Sequence, residues 1–184
     1  MSRIIIDADL CIKLGGSDKY KFLLNVLPLA ADDIYMHTCA YNEVKMPPSA
    51  VKQLKKLVED GTVKIVDERE LSNNDLVVYN LSYNMLAAVT LDPGRPNKNK
   101  GEVCSLAYAK ATGITIFATD ENNLQQIIDS RLNTGIDDIH CLRIVDIIMK
   151  ARNGEIDITR KTAKAIWVIA GKNKDDFDNK IWPL

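Results

Sequence analysis

Six acidic residues stand where an apolar run or a helical pattern begins or ends. Asp7 and Asp9 follow Ile4-Ile5-Ile6, and Asp120 and Glu121 follow Thr115-Ile116-Phe117-Ala118-Thr119. Glu43 lies in Cys-Ala-Tyr-Asn-Glu-Val, and Glu102 in Asn-Lys-Gly-Glu-Val-Cys. In open α/β sheets ligands bind beyond the carboxyl ends of the strands, where strand order reverses. If both apolar runs are central parallel strands, Asp7, Asp9, Asp120 and Glu121 converge on one rim, and Glu43 and Glu102 can face it from helix starts. Carboxylates gathered in one cleft repel one another, and some stay protonated unless a cation compensates. Oxygen donors without histidine suit a hard divalent cation, Mg²⁺ or Mn²⁺. Such a cation acidifies water, orients a phosphodiester and stabilises the leaving oxygen. The chemistry is metal-assisted phosphoryl transfer to water.

Each acid also has a plainer role. Asp120 can cap a helix beginning near Glu121, and Glu43 and Glu102 can be solvated first-turn acids favoured by the helix dipole. Asp9 can cap the turn after its strand. Asp7 is harder to explain away, because an acid directly after three isoleucines risks burial without a partner. Lys45, Lys52, Lys55 and Lys56 form a local basic track, and Lys98 and Lys100 flank Gly101-Glu102. A phosphate backbone can follow such a track. For Lys52, Lys55 and Lys56 an ordinary solvated helix face is the better reading; Lys100, next to an expected ligand, is the substrate contact. Tyr41 and Tyr108 are read as core residues rather than stacking platforms.

The elements that must position these side chains follow from periodicity. Short β-branched runs at Arg3 to Ile6, Ile34 to Met36, Val63 to Val66, Ile114 to Ala118 and Ile139 to Leu142 read as strands. Between them, apolar residues recur at three and four over Asp18 to Leu27, Ser49 to Glu59, Asp75 to Leu91, Glu102 to Thr112 and Leu124 to Leu132. A further helix starts around Thr38 and is ended by Pro47-Pro48, and Ser49 is placed as the cap of the next. Gly113 stops the Glu102 helix, and Arg95 to Lys100 is a polar loop. Helices follow at Val145 to Arg152 and Thr159 to Ala170. Strands alternating with helices predict a parallel sheet covered on both faces.

Composition sets the remaining bounds. A chain of 184 residues with 46% apolar and 27% charged residues is an ordinary globular protein with room for a real core. A net charge of -1 supplies no global field for nucleic acid, so any such binding is local. No apolar run approaches the ~20 residues that span a bilayer. An acid directly after the opening isoleucines argues against a signal peptide. The expectation is a soluble, cytoplasmic protein. Cys11, Cys39, Cys104 and Cys141 lie far apart without a C-x-x-C pair, in apolar contexts where free cysteine behaves as a small buried hydrophobe. With only His37 and His140 besides, a zinc site of finger-like spacing is excluded.

Four blocks in this order resemble the PIN-domain ribonucleases, a family that includes the toxin nucleases of bacterial toxin-antitoxin pairs. They are the opening I-I-I-D-A-D-L-C-I-K-L, the acid of Y-N-E-V, the block N-K-G-E-V-C-S-L-A-Y-A-K-A-T-G, and I-T-I-F-A-T-D-E. The resemblance runs from the N-terminus to about residue 125, and the G-E and T-D-E blocks are its specific part. It implies a three-layer α/β/α sandwich with a central, mostly parallel sheet. The nuclease domain would cover residues 1–142, and a helical C-terminal extension over 143–184 would pack on the same domain. It makes Asp7, Glu43, Glu102 and Asp120 the acidic quartet that holds Mg²⁺ or Mn²⁺, with Asp9, Thr119 and Glu121 orienting ligands or water. The implied activity is hydrolysis of single-stranded RNA by a metal-activated water; the implied partners are an antitoxin protein and a second copy of the chain. Ala8 stands where the family usually has Thr or Ser, and the chain is longer than the compact toxins.

Two other readings compete. The D-x-D opening is similar to that of the haloacid-dehalogenase phosphatases, with Asp7 as covalent nucleophile and Asp9 as acid/base. That reading leaves Glu43 and Glu102 without a role, and the T-D-E-N-N block lacks the usual spaced second aspartate. A non-catalytic PIN-like scaffold for RNA or protein is the other, against which the complete quartet counts.

Overall fold

The computed structural model describes residues 2–95 and 98–183. Of the polar loop expected over 95–100, residues 96 and 97 lie outside that range, as does residue 184 of the extension. The chain alternates strands and helices throughout. The first half runs β1 (Arg3–Ile6), α1 (Ala8–Leu14), α2 (Phe22–Val26), β2 (Asp33–His37), α3 (Thr38–Glu43), α4 (Pro48–Glu59) and β3 (Val63–Val66). The second runs α5 (Asn73–Thr90), α6 (Lys100–Thr112), β4 (Ile116–Ala118), α7 (Leu124–Arg131), β5 (His140–Leu142), α8 (Ile144–Arg152), α9 (Arg160–Ile169) and α10 (Lys174–Asp176), which passes into a π-helical turn, Phe177–Ile181.

The five strands form one sheet in the order β3-β2-β1-β4-β5, and every pairing is parallel. β1 is central: Ile4 pairs with Ile34 on one side and Ile116 on the other. Its three isoleucines are fully buried, as a strand covered on both faces requires. They alternate between layers. Ile4 and Ile6 enter a core shared with α1, α2, α4, α8 and α9, while Ile5 enters a second core built on α5, α6 and α7. The result is the three-layer α/β/α sandwich expected from the sequence. The extension contributes Ile158, Ala163, Ile166, Trp167 and Phe177 to the first of these cores.

The strand order reverses beside β1. The chain builds outward through β2 and β3, then crosses to place β4 on the opposite side. The crevice at this switch point opens beyond Ile6 and Ala118, the last residues of β1 and β4, which pair in register. Asp7 and Thr119-Asp120 follow them directly.

Local chemistry explains the helix limits. Pro48 opens α4, where its missing N–H costs nothing, and Gly113 closes α6 at φ 65°. Ser49 is not the cap expected of it: it lies inside α4, buried, and its hydroxyl donates to the Gly15 carbonyl at 2.7 Å. Val77, Leu81, Met85 and Val89 leave an exposed apolar stripe on α5.

Candidate active site

Asp7 caps α1. Its Oδ1 accepts the Ala8 amide at 2.7 Å, and its Oδ2 accepts the Thr119 hydroxyl at 3.3 Å. The same Thr119 oxygen accepts the Glu121 amide at 3.3 Å, so one buried hydroxyl ties the end of β4 to the carboxylate after β1. Asp7 is only 2% exposed. Burial raises its pKa to about 7 against the Ala8 hydrogen bond, and the charges of Asp9 and Glu43 add to the rise.

Glu43 is the last residue of α3 rather than a first-turn acid, which corrects the sequence expectation. The helix is short and stops there, well before Pro47-Pro48. That ending brings the Glu43 carboxylate to the amino end of α6, where Oε1 accepts the Gly101 amide at 2.7 Å. Burial holds its carboxyl above the usual range despite this bond. Glu102 lies in the first turn of α6 as expected. There the helix dipole favours the charged form, yet burial, followed by the charges of Asp7, Glu121, Glu43 and Asp9, raises its pKa to about 8. Asp7, Asp9, Glu43, Glu102 and Glu121 therefore act on one another as one electrostatic group. Their donors are all oxygens, and burial first, with repulsion from neighbouring acids, disfavours the anions of Asp7 and Glu102, while burial disfavours that of Glu43. That set fits a hard divalent cation.

Gly101 lets α3 and α6 meet. A Cβ there would fall 2.8 Å from Glu43 Oε2 and 2.9 Å from the Ala40 Cα. The second contact is backbone, so the helices must separate. Gly101→Ala is expected to cost about 1–3 kcal/mol by overpacking and to lower any cation-dependent activity by displacing Glu43; urea unfolding beside an activity assay checks both.

Asp120 reaches the same rim but is engaged differently. It is 4% exposed, and its Oδ2 accepts Lys13 Nζ at 3.0 Å and Lys172 Nζ at 2.8 Å. Its Oδ1 accepts the Ile144 amide at 3.4 Å. It does not cap α7, which begins only at Leu124, but the Ile144 amide it accepts is the first of α8. Lys13 also pairs with Asp9 at 2.9 Å. Burial alone would lower the Lys13 pKa, but the hydrogen bonds to Asp9 and Asp120 outweigh it and keep the ammonium charged. Neither lysine was singled out in the sequence. Lys13 lay four residues after Asp9, an ion-pair spacing legible in a helix; Lys172 carried no local signal.

A cleft of about 230 Å³ opens beside the acids, lined by Glu102, Glu121, Lys98, Asn99, Asn123 and Thr90 among others. Lys100, the exposed first residue of α6, stands close enough to Glu43 to favour its charged form.

The fold also corrects the reading of the cysteines as isolated hydrophobes. Cys11 is such a residue, fully buried in the first core. Cys39 and Cys104, however, meet with sulfurs 2.9 Å apart, beside the buried His37. Contact with Cys104 and His37 holds the Cys39 thiol below its usual range. Comparison of the chain with protein-family models, curated proteins and solved structures gives no match.

Proposed function

We propose that the chain is a metal-dependent endoribonuclease that hydrolyses phosphodiester bonds of single-stranded RNA. One observation carries the reading: Asp7, Glu43 and Glu102, from three separate elements, share one electrostatic group at the topological switch point, with carboxyls held above their usual range. Asp7, Glu43 and Glu102 would hold Mg²⁺ or Mn²⁺. When bound, the cation supplies Lewis-acid polarisation of the phosphodiester and acidifies water. Thr119 keeps the Asp7 carboxylate aimed at the crevice. Asp120, expected from the sequence as a fourth ligand, accepts Lys13 and Lys172 at the rim instead, where their ammonium groups can offset phosphate charge. Lys98 lines the cleft and Lys100 stands near Glu43, where each can also meet phosphate charge. The resemblance to PIN-domain ribonucleases supports the same chemistry, and the proposed partners are single-stranded RNA, an antitoxin protein and a second copy of the chain. No helix among the described residues is long and apolar enough to cross a membrane.

The test is cleavage of an end-labelled single-stranded RNA with Mn²⁺, Mg²⁺ or EDTA, using wild type and Glu102→Gln in parallel. Cutting is expected only with the cation, and a loss of about 10²-fold or more is expected in the variant. Wild type that leaves RNA intact under every cation, or a variant that cuts at the wild-type rate, overturns the reading.

A further inference from the structure

His37 ends β2, Cys39 is the second residue of α3, and Cys104 lies in α6. One nitrogen of the imidazole and both sulfurs lie within 4.8 Å of one another. His37 is fully buried and Cys104 is buried, so these polar and polarisable groups face each other out of water. Tyr79 stacks on the imidazole at 6.2 Å between ring centres, and Tyr108 meets it edge-on at 5.9 Å, closing the site on two sides. Glu68 Oε2 lies 3.1 Å from His37 Nε2.

We propose that His37, Cys39 and Cys104 form a binding site for a thiophilic divalent cation of the Zn²⁺ type, distinct from the acidic rim. The donor set decides the class. Two thiolates and an imidazole are ligands for Zn²⁺ and its softer neighbours, while Mg²⁺ and Mn²⁺ prefer the oxygens a helix turn away. Zn–S bonds of about 2.3 Å and Zn–N bonds of about 2.0–2.1 Å set tetrahedral ligands roughly 3.5–3.8 Å apart. Sulfurs at 2.9 Å need part by just under ~1 Å to admit the ion, a shift within reach of χ1 adjustment. Nδ1 of His37 now accepts the Cys39 amide at 3.1 Å, and ligation through it would exchange that hydrogen bond for the ion. A carboxylate beside the other ring nitrogen is the arrangement that commonly orients a metal-bound imidazole, and Glu68 occupies that place. The bound ion would join α3 to α6, the helices that carry Glu43 and Glu102, although the proposal does not depend on what those acids do.

The experiment titrates reduced, metal-stripped full-length protein with Zn²⁺, and separately with Co²⁺ followed by absorption. Stoichiometric Zn²⁺ uptake is expected, with a thiolate-to-Co²⁺ charge-transfer band in the near ultraviolet. Cys39→Ser, at a partly exposed position, is expected to abolish the band and weaken Zn²⁺ binding about 100-fold or more. Asp7→Asn is expected to leave both unchanged. Glu68→Gln is expected to weaken binding about 10- to 100-fold. Absence of uptake by the reduced wild type, uptake that survives Cys39→Ser, or uptake lost only in Asp7→Asn would overturn the assignment. So would a chain that is purified with Cys39 and Cys104 joined as a disulfide and, once reduced, takes up no Zn²⁺.

Discussion

Asp7→Asn is expected to stabilise the cation-free protein by about 4 kcal/mol above about pH 8 while removing cleavage. The gain comes from the buried carboxylate, whose pKa rises from 3.8 to about 7 in the native state, a shift worth about 1.4 kcal/mol per unit. Between roughly pH 4 and pH 7 the native state keeps the Asp7 proton that the unfolded chain releases. Wild-type stability therefore falls as pH rises through that window and levels off above it. Asparagine carries no such proton, so its advantage is near zero below pH 4 and largest above pH 7. Its carbonyl can still accept the Ala8 amide, and its NH₂ can donate to the Thr119 oxygen, so both local contacts survive the change. Saturating Mn²⁺ should reverse the order by stabilising wild type and leaving the variant unmoved. Urea unfolding in EDTA and in Mn²⁺, at pH values near 5 and 8, checks all of this. An asparagine variant less stable than wild type at the higher pH would show that burial does not penalise the Asp7 anion.

Phe177→Ala should have the second large effect, a loss of about 3–5 kcal/mol, as for a buried aromatic truncated in a packed core. Phe177 is fully buried, 6.3 Å from the Trp167 ring centre and 6.5 Å from that of Trp182, with the Arg160 guanidinium 5.4 Å over its face. Trp167 in turn carries Lys172: the ammonium sits 5.3 Å over its indole, and Nε1 donates to the Asn173 carbonyl at 2.6 Å. A cavity behind Trp167 frees the ring, and with it the lysine that pairs with Asp120. Cleavage should therefore fall beyond what the unfolded fraction explains, and Phe177→Leu, which refills most of the space, should recover both properties. Equal stability of Phe177→Ala and wild type in urea would mean that the extension is not part of the working core.

Much of this architecture was legible because it is local. Ile4-Ile5-Ile6 reads as a buried strand from three adjacent residues, and β1 has the limits expected of it. The limits of α6, α7 and α9 fall within two residues of their apolar periods. Errors arose where a neighbour in space replaced a neighbour in sequence. Ser49 has the right chemistry for a cap, but its hydroxyl found the Gly15 carbonyl instead. Glu43 ends α3 rather than lying in a first turn, because the helix that starts at Thr38 stops there, short of Pro47-Pro48.

Residue types and their spacing by themselves determined the alternating strands and helices, the parallel sheet they form, and the acids at the ends of its central strands. Periodicity and β-branching act over a few residues and survive without a partner. Only the tertiary structure decided which groups those acids meet. Asp120 is held by Lys13, 107 residues away, and by Lys172 from the far end of the chain, and Cys104 touches Cys39 across 65 residues. Such contacts leave no period to read. They exist because strand order reverses at β1 and because α3, α6 and the segment after α9 close over that crevice.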